Sequence, residues 1–364
     1  MTPTPFSRQV SPNWEAFRDC IAGAGTPSRV HNIELFLDPE VQRAVAKEFG
    51  LLEGLDSDDP FFLARAHIRI QRFLGYDYVV AGVDPIAADF GFARMTVDDT
   101  AELARDSGRH YIDEHRGPIS NWAEFNAYRW PAHSDITTNT LAWYESNLPD
   151  DMCVIGGLTS HFSEWLTWLM GYETLCYALF DDRDLVRAIC DRILELTRHI
   201  TEQILQFDCV KFIWGSDDLG YRTSTLISPD DTREFILPGH REMAQLAHDH
   251  GCLYLLHSCG NLREIIPDLI DDVRIDAKHS FEDTIEQVTD VKYTYGQRIA
   301  LLGGIDVDFL CRATPEQIRE RVRNTLDVCL PGGRYCLGTG NSVANYIPLG
   351  NYLAMLDEGR RYTC

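Results

Sequence analysis

The chemistry most legible in this chain lies in the segment Cys252-Leu-Tyr-Leu-Leu-His257-Ser-Cys259-Gly260. Its apolar run reads as a strand. Alternate side chains of a strand share a face, so His257 and Cys259 point the same way, with α-carbons roughly 6.5 Å apart. A metal between them takes an imidazole bond of about 2.0 Å and a thiolate bond of about 2.3 Å. That donor pair suits zinc better than magnesium or calcium. Gly260 ends the strand and so places both groups at its carboxyl end, where α/β barrels build their sites. A buried His and Cys with no metal is the competing reading, because His-x-Cys spacing by itself is a weak motif.

Other residues could join them. Asp217-Asp218 follow an apolar strand, where they could bind substrate or orient a ligand, and Asp306 follows the Gly303-Gly304 turn. Doubled acids also occur at 58–59, 98–99, 150–151, 181–182, 230–231 and 271–272, mostly at element ends, where helix capping is the usual role. Tyr221 and His279 also stand near strand ends. Trp122, Tyr128, Trp130, Trp165 and Trp168 could line an apolar pocket or simply fill core. The run Leu337-Gly-Thr-Gly-Asn-Ser342 lacks the P-loop lysine and the GxGxxG spacing, and neither GxSxG nor HExxH occurs.

Positioning these groups requires a regular frame, and the sequence supplies one. Helical and extended patterns alternate: helix 182–207, strand 210–214, helix 230–250, strand 253–257, helix 262–270, strand 273–277, helix 284–295, strand 299–303, helix 315–330, strand 334–338 and a last helix over 349–361. Short apolar strands separated by helices of ten or more residues predict repeated βα units and a parallel sheet. Earlier, helices are expected at 12–22, 39–49 and 60–74, a strand over 76–83, and an antiparallel excursion within 94–116. No linker or low-complexity tract divides the chain, so it reads as one domain over 1–364, a (β/α)8 barrel with an N-terminal helical extension.

Composition narrows the partners. With 33 basic and 56 acidic residues the net charge is -23, which disfavours nucleic acid and anionic membrane surfaces. No apolar stretch approaches the ~18 residues of a spanning helix, and a cytoplasmic location is expected. Eleven cysteines in 364 residues are an odd number thinly spread, which suggests reduced, mostly buried thiols.

From Lys211 onward the chain resembles the uroporphyrinogen decarboxylase superfamily. The pieces that carry the resemblance are Trp214-Gly-Ser-Asp-Asp-Leu-Gly220, Leu226-Ile-Ser-Pro-Asp230, His257-Ser-Cys-Gly-Asn261, Leu302-Gly-Gly-Ile-Asp306, Thr314-Pro-Glu316 and Pro348-Leu-Gly-Asn351, in order over about 140 residues. Thr26-Pro-Ser-Arg-Val30 is similar to the family's opening strand. The resemblance implies a (β/α)8 barrel and, through His-x-Cys, the zinc methyltransferase branch that works with corrinoids. It implies a third ligand from a later cysteine, for which Cys336 has suitable spacing, although the family's cysteine sits in the turn where this chain has Gly340-Asn341-Ser342. Glu164 is the alternative ligand. The resemblance also gives Asp217, Asp218 and Asp306 catalytic roles; Asn341, Tyr221 from its place near a strand end, and Trp165 from the aromatic group are expected as substrate contacts.

The expected activity is transfer of a methyl group between a small substrate and a corrinoid protein, with O-demethylation of an aryl methyl ether favoured. No Asp-x-His-x-x-Gly corrinoid motif is present, so the corrinoid must arrive on a separate protein. The alternatives are transfer from a methyl-corrinoid to a thiol, a metal-free decarboxylase, or a non-catalytic zinc-binding barrel. The decarboxylase reading fits less well, because the Arg-rich N-terminal motif of that branch is not found in residues 1–25. A homodimer is compatible with all of these.

Overall fold

The computed structural model describes residues 5–86, 90–105 and 107–363. Seven parallel strands form its main sheet: β1 (Tyr78–Ala81), β4 (Cys153–Thr159), β5 (Val210–Ser216), β6 (Leu253–His257), β7 (Ala277–His279), β8 (Ala300–Leu302) and β9 (Tyr335–Cys336), paired in that order. Between β1 and β4 in the chain, β2 (Arg94–Val97) and β3 (Arg109–Ile112) pair as the expected antiparallel excursion. The main strands are buried almost throughout, as parallel strands covered on both faces must be.

Helices follow the strands and seal the outer face. Helix Arg183–Ile204 buries Leu185, Val186, Ile189, Ile193, Leu196, Ile200 and Ile204 along one stripe, and the Asp182 side chain caps it through Leu185 N–H. At about 1.5–3 kcal/mol for each fully buried aliphatic side chain, that stripe outweighs any helix propensity in fixing where the segment lies. Thr314 and Gln317 form the reciprocal cap that opens helix Pro315–Cys329. Among the described residues no helix is long and apolar enough to cross a membrane.

Three expectations shift. The helix expected over 230–250 begins as Pro229–Asp231 and runs through a wider π segment, Thr232–Ile236, into Leu237–Asp249. Pro238 lacks the N–H that would bond the carbonyl four residues earlier, which favours a wider turn there. The strand expected over 273–277 lies at Ala277–His279, because Leu269–Val273 closes as a second π turn. The third concerns closure: among the described residues the main sheet has seven strands rather than eight. Where an eighth would lie beside β9 there are two isolated parallel bridges, Asn32 to Leu337 and Leu37 to Val343, so pairing starts beyond the expected 26–30. On the other side of that segment the Tyr78 hydroxyl bonds both N–H and C=O of Glu34.

Helix Trp14–Ala22 closes the amino end of the sheet. Its Phe17 stacks on Tyr78, the first residue of β1, at 5.5 Å between ring centroids, and packs on Phe212 at 5.2 Å. The opposite, carboxyl end is left for chemistry.

Candidate metal centre

Three neighbouring strands deliver the central groups in register. Ser216 of β5 pairs with His257 of β6, and His257 pairs with His279 of β7. Two residues past Ser216 stands Asp218, and two past His257 stands Cys259. The two turns are laced together: Asp217 N–H bonds His257 O at 3.0 Å, Leu219 N–H bonds Ser258 Oγ at 3.1 Å, and Cys259 N–H bonds Asp218 Oδ1 at 3.1 Å. Gly260 makes this approach feasible. Its φ is +84°, and a Cβ there would stand 2.2 Å from the backbone of Gly220. Gly260→Ala is therefore expected to push the Asp218 turn away from Cys259 and to cost roughly 1–3 kcal/mol of stability. Denaturant unfolding beside a zinc-affinity titration checks both; unchanged affinity would mean the turn does not set the site.

Asp218, His257 and Cys259 offer ligand atoms that all lie within 4.8 Å of one another, and they are the one such cluster among the described residues. Cys259 Sγ is 3.4 Å from His257 Nε2, and Asp218 Oδ1 is 3.9 Å from the same nitrogen. Donors bound at about 2.0–2.3 Å in a tetrahedron stand roughly 3.4–3.6 Å apart, so the cluster needs little movement to hold a cation and leaves a fourth position open.

The electrostatics match. Burial pushes His257 down to about 4, which keeps the imidazole neutral with a lone pair to give. Burial, and then the Asp218 charge, push the Cys259 thiol up to about 12, so without a cation the sulfur keeps its proton. Around it, Asn341 Nδ2 donates to Sγ at 3.3 Å and Ser280 Oγ at 3.6 Å. His257 Nδ1 meets His279 Nδ1 at 2.7 Å. One of the two nitrogens must carry the hydrogen. If it is that of His257, Nε2 is left bare toward Cys259, the tautomer a metal ligand requires. His279 Nε2 is buried without a partner, so the ring's polar contact is spent on His257.

A second group faces the same region from β4. His161 Nδ1 meets Glu164 Oε2 at 2.7 Å while Nε2 bonds Leu158 O at 3.1 Å. Burial pushes Glu164 up to about 7. Burial is the largest influence on His161 and opposes its charge, but the hydrogen bond and charge of Glu164, with the Asp217 charge and Leu158 O, together outweigh it and raise the imidazole. The pair is near enough for His161 to influence the titration of His257. His161 borders a cavity of about 360 Å³ lined also by Val83, Ile86, Phe90, Leu158 and Trp165.

The remaining expected residues divide. Trp165 lines that cavity. Trp168 packs on Phe92, while Trp122 is 41% exposed and bonds Asp182. Asp217 is fully buried and accepts Ser163 N–H, Glu164 N–H and His240 Nε2. It thereby caps the helix that carries Glu164, and both its oxygens are committed. Asp306 is likewise engaged, by Asp283 N–H and Phe309 N–H. Tyr221 is 67% exposed on its loop.

Cys336 is not brought to the cluster. It is fully buried in β9, on the side of Cys20 of the helix that closes the amino end; the Cys20 thiol donates to Tyr335 O at 3.2 Å. The chain runs five residues further before Asn341 reaches Cys259. Cys336→Ala is accordingly expected to leave metal content unchanged and to lower stability by roughly 1 kcal/mol, checked by elemental analysis and denaturant unfolding. His161 is a group the sequence reading did not single out and had no spacing signal, whereas Asp218 was expected as a catalytic or ligand-orienting acid and the register of β5 against β6 makes it a donor in the cluster.

These features define an α/β protein whose parallel strands bring a His–Cys–carboxylate cluster, a candidate cation site, together at their carboxyl ends. The chain belongs to the uroporphyrinogen decarboxylase (URO-D) family, whose sequence profile matches residues 114–362, more than half of the chain. It is 36% identical over 133 residues to a methylated-thiol--coenzyme M methyltransferase of Methanosarcina mazei; the match covers 36% of this chain and 33%, about a third, of that relative. A crystal structure of a putative vitamin-B12 independent methionine synthase from Listeria monocytogenes aligns over 93% of this chain and 97% of its own, at 11% identity and a TM-score of 0.43.

Proposed function

We propose that this protein is a zinc-dependent methyltransferase that moves a methyl group between a small sulfur compound and a corrinoid held on a separate protein. The observation that carries the reading is the Asp218, His257, Cys259 cluster with its open fourth position. The name of the Methanosarcina relative supports sulfur as the methyl-bearing atom. Zinc suits the donor set because thiolate and imidazole select it over harder cations, and when bound it supplies Lewis acidity toward a thiolate or alkoxide. In this reading the residues 31–37 act as the eighth stave of a closed barrel.

The chain's own groups then divide the work. His257 and Cys259 hold the cation with Asp218, His279 fixes the His257 ring, and Asn341 and Ser280 donate to the sulfur of Cys259. His161 and Glu164 share a proton beside the cavity. When a C–S bond breaks and its electron pair stays on sulfur, that proton neutralises the leaving thiolate; in the reverse direction the pair takes the proton of an incoming thiol. The apolar cavity holds the organic part of the substrate and excludes water. Its Phe90 and Trp165 rings favour a second reading, the demethylation of an aryl methyl ether.

The test mixes zinc-loaded protein with reduced corrinoid protein and either methyl thioethers or methoxybenzenes, following cobalt methylation by absorbance. The reverse arm supplies methyl-corrinoid and thiols. Turnover with sulfur compounds supports the first reading, and turnover with methoxybenzenes alone supports the second. Stoichiometric zinc with no transfer in either direction rejects both.

A further inference from the structure

Glu34 is buried in the segment that bridges to the chain beyond β9. Its Oε1 accepts Thr339 N–H at 2.9 Å, and its Oε2 lies 2.5 Å from Thr339 Oγ1. The same hydroxyl lies 2.8 Å from Asn341 O. A threonine hydroxyl has one hydrogen, and a carbonyl oxygen can only accept. If that hydrogen goes to Asn341, Oε2 must bring its own to the contact with Thr339; otherwise two bare oxygens face each other at hydrogen-bond distance. The arrangement is satisfied throughout when Glu34 is protonated and hydrogen bonds run from Glu34 to Thr339 to Asn341. At the far end, Asn341 Oδ1 accepts Ser342 N–H at 2.9 Å, which turns the amide NH2 toward Cys259 Sγ.

We propose that Glu34 serves as a neutral carboxylic acid, a positioning residue that through Thr339 fixes the 339–342 turn and holds the Asn341 amide on the sulfur of Cys259. This rests on the reading of Cys259 as a metal-binding thiol.

The surroundings agree. Among the described residues no ion pair reaches Glu34. The groups that influence or are influenced by it are the phenols of Tyr76, Tyr78, Tyr335 and Tyr352. Arg29 and His31, on its own segment, are both engaged by Asp77. On the facing elements, Arg360 sits behind Tyr76 and Tyr352, and Cys336 lies beyond Tyr78 with its thiol held protonated by burial. Burial pushes Glu34 up to about 8, against the bonds from Thr339. Glutamine reproduces the protonated acid, with an NH2 to donate to Thr339 Oγ1 and a carbonyl to accept Thr339 N–H.

The experiment compares wild type with Glu34→Gln. The native state keeps a proton that the unfolded chain releases near pH 4.3, so wild-type stability falls as pH rises from there to about 8 and levels above it. Relative to the variant, the folding constant is expected to drop about tenfold per pH unit across that window. Zinc affinity, read by chelator competition, is expected to be equal for the two at pH 6.5. By pH 9 wild type should bind several-fold more weakly than Glu34→Gln, while Thr339→Val should be weaker at every pH by about 10-fold. Parallel stability profiles, or a Gln variant already impaired at pH 6.5, would overturn the proposal. If Glu34→Gln does not fold, infrared spectroscopy on Glu164→Gln decides: a protonated-carboxyl band at pH 7 that vanishes by pH 9 is expected, and its absence overturns the proposal. If wild type binds no zinc, the functional reading fails, whereas the stability profiles still test the charge state of Glu34.

Discussion

Cys259→Ser is expected to lower zinc affinity by more than about 100-fold and methyl transfer by at least about 1,000-fold, with the fold retained. The magnitude follows from what surrounds the sulfur. It stands 3.4 Å from His257 Nε2 and 3.3 Å from the Asn341 amide, so it is a donor in the cluster itself. Loss of an outer partner alone typically costs 10–100-fold in metal affinity, and loss of a ligand should exceed that. Serine does not restore the bond, because a hydroxyl gives up its proton far less readily than a thiol. Stability should hold, since the site sits on turns at the carboxyl end while the core below is filled by Trp214, Phe212 and the plug residue Phe17. Elemental analysis on folded protein, verified by circular dichroism, gives the answer, and unchanged zinc stoichiometry would remove Cys259 from the site.

His161→Gln should separate proton transfer from metal binding. Zinc content is expected to stay at the wild-type level, because His161 is outside the three-donor cluster. The rate of transfer should fall by about 100- to 10,000-fold, the usual span for a lost general acid or base. The reason is local: the 2.7 Å contact with Glu164 keeps a proton on the pair beside the cavity, and an amide cannot exchange one at neutral pH. Glu164→Gln should show a drop of the same kind with zinc again retained. A kcat within threefold of wild type in both variants would leave the pair as helix structure rather than chemistry.

How much of this was legible beforehand differs by residue. Strand periodicity through 259 was the expectation for the His257 and Cys259 pair; β6 ends at His257, and Cys259 reaches the cluster from the turn that follows, where Gly260 has its positive φ. The third donor did not follow. Cys336 had acceptable spacing along the chain, yet β9 ends at that residue and its thiol turns to Cys20 on a helix more than 300 positions earlier in sequence. Asp217 and Asp218 looked equivalent as neighbours. Alternation sends one outward to cap helix Phe162–Met170 and the other inward to Cys259, and only the register of β5 against β6 tells which is which.

The sequence by itself determined the alternation of strand and helix, the capped helix starts at 228 and 314, the absence of a long apolar helix and the His-x-Cys pair, because each depends on residues within one or two turns of the chain. The tertiary structure alone decided that Asp218 rather than Cys336 joins that pair, that His161, paired with Glu164, lines the cavity, and that Glu34 reaches Asn341 through Thr339. Those outcomes depend on strand register, on two glycine turns in contact and on hydrogen bonds between residues some 300 positions apart. Local propensity carries no information about such distances, since they are set by how the packed strands and helices close around a common core.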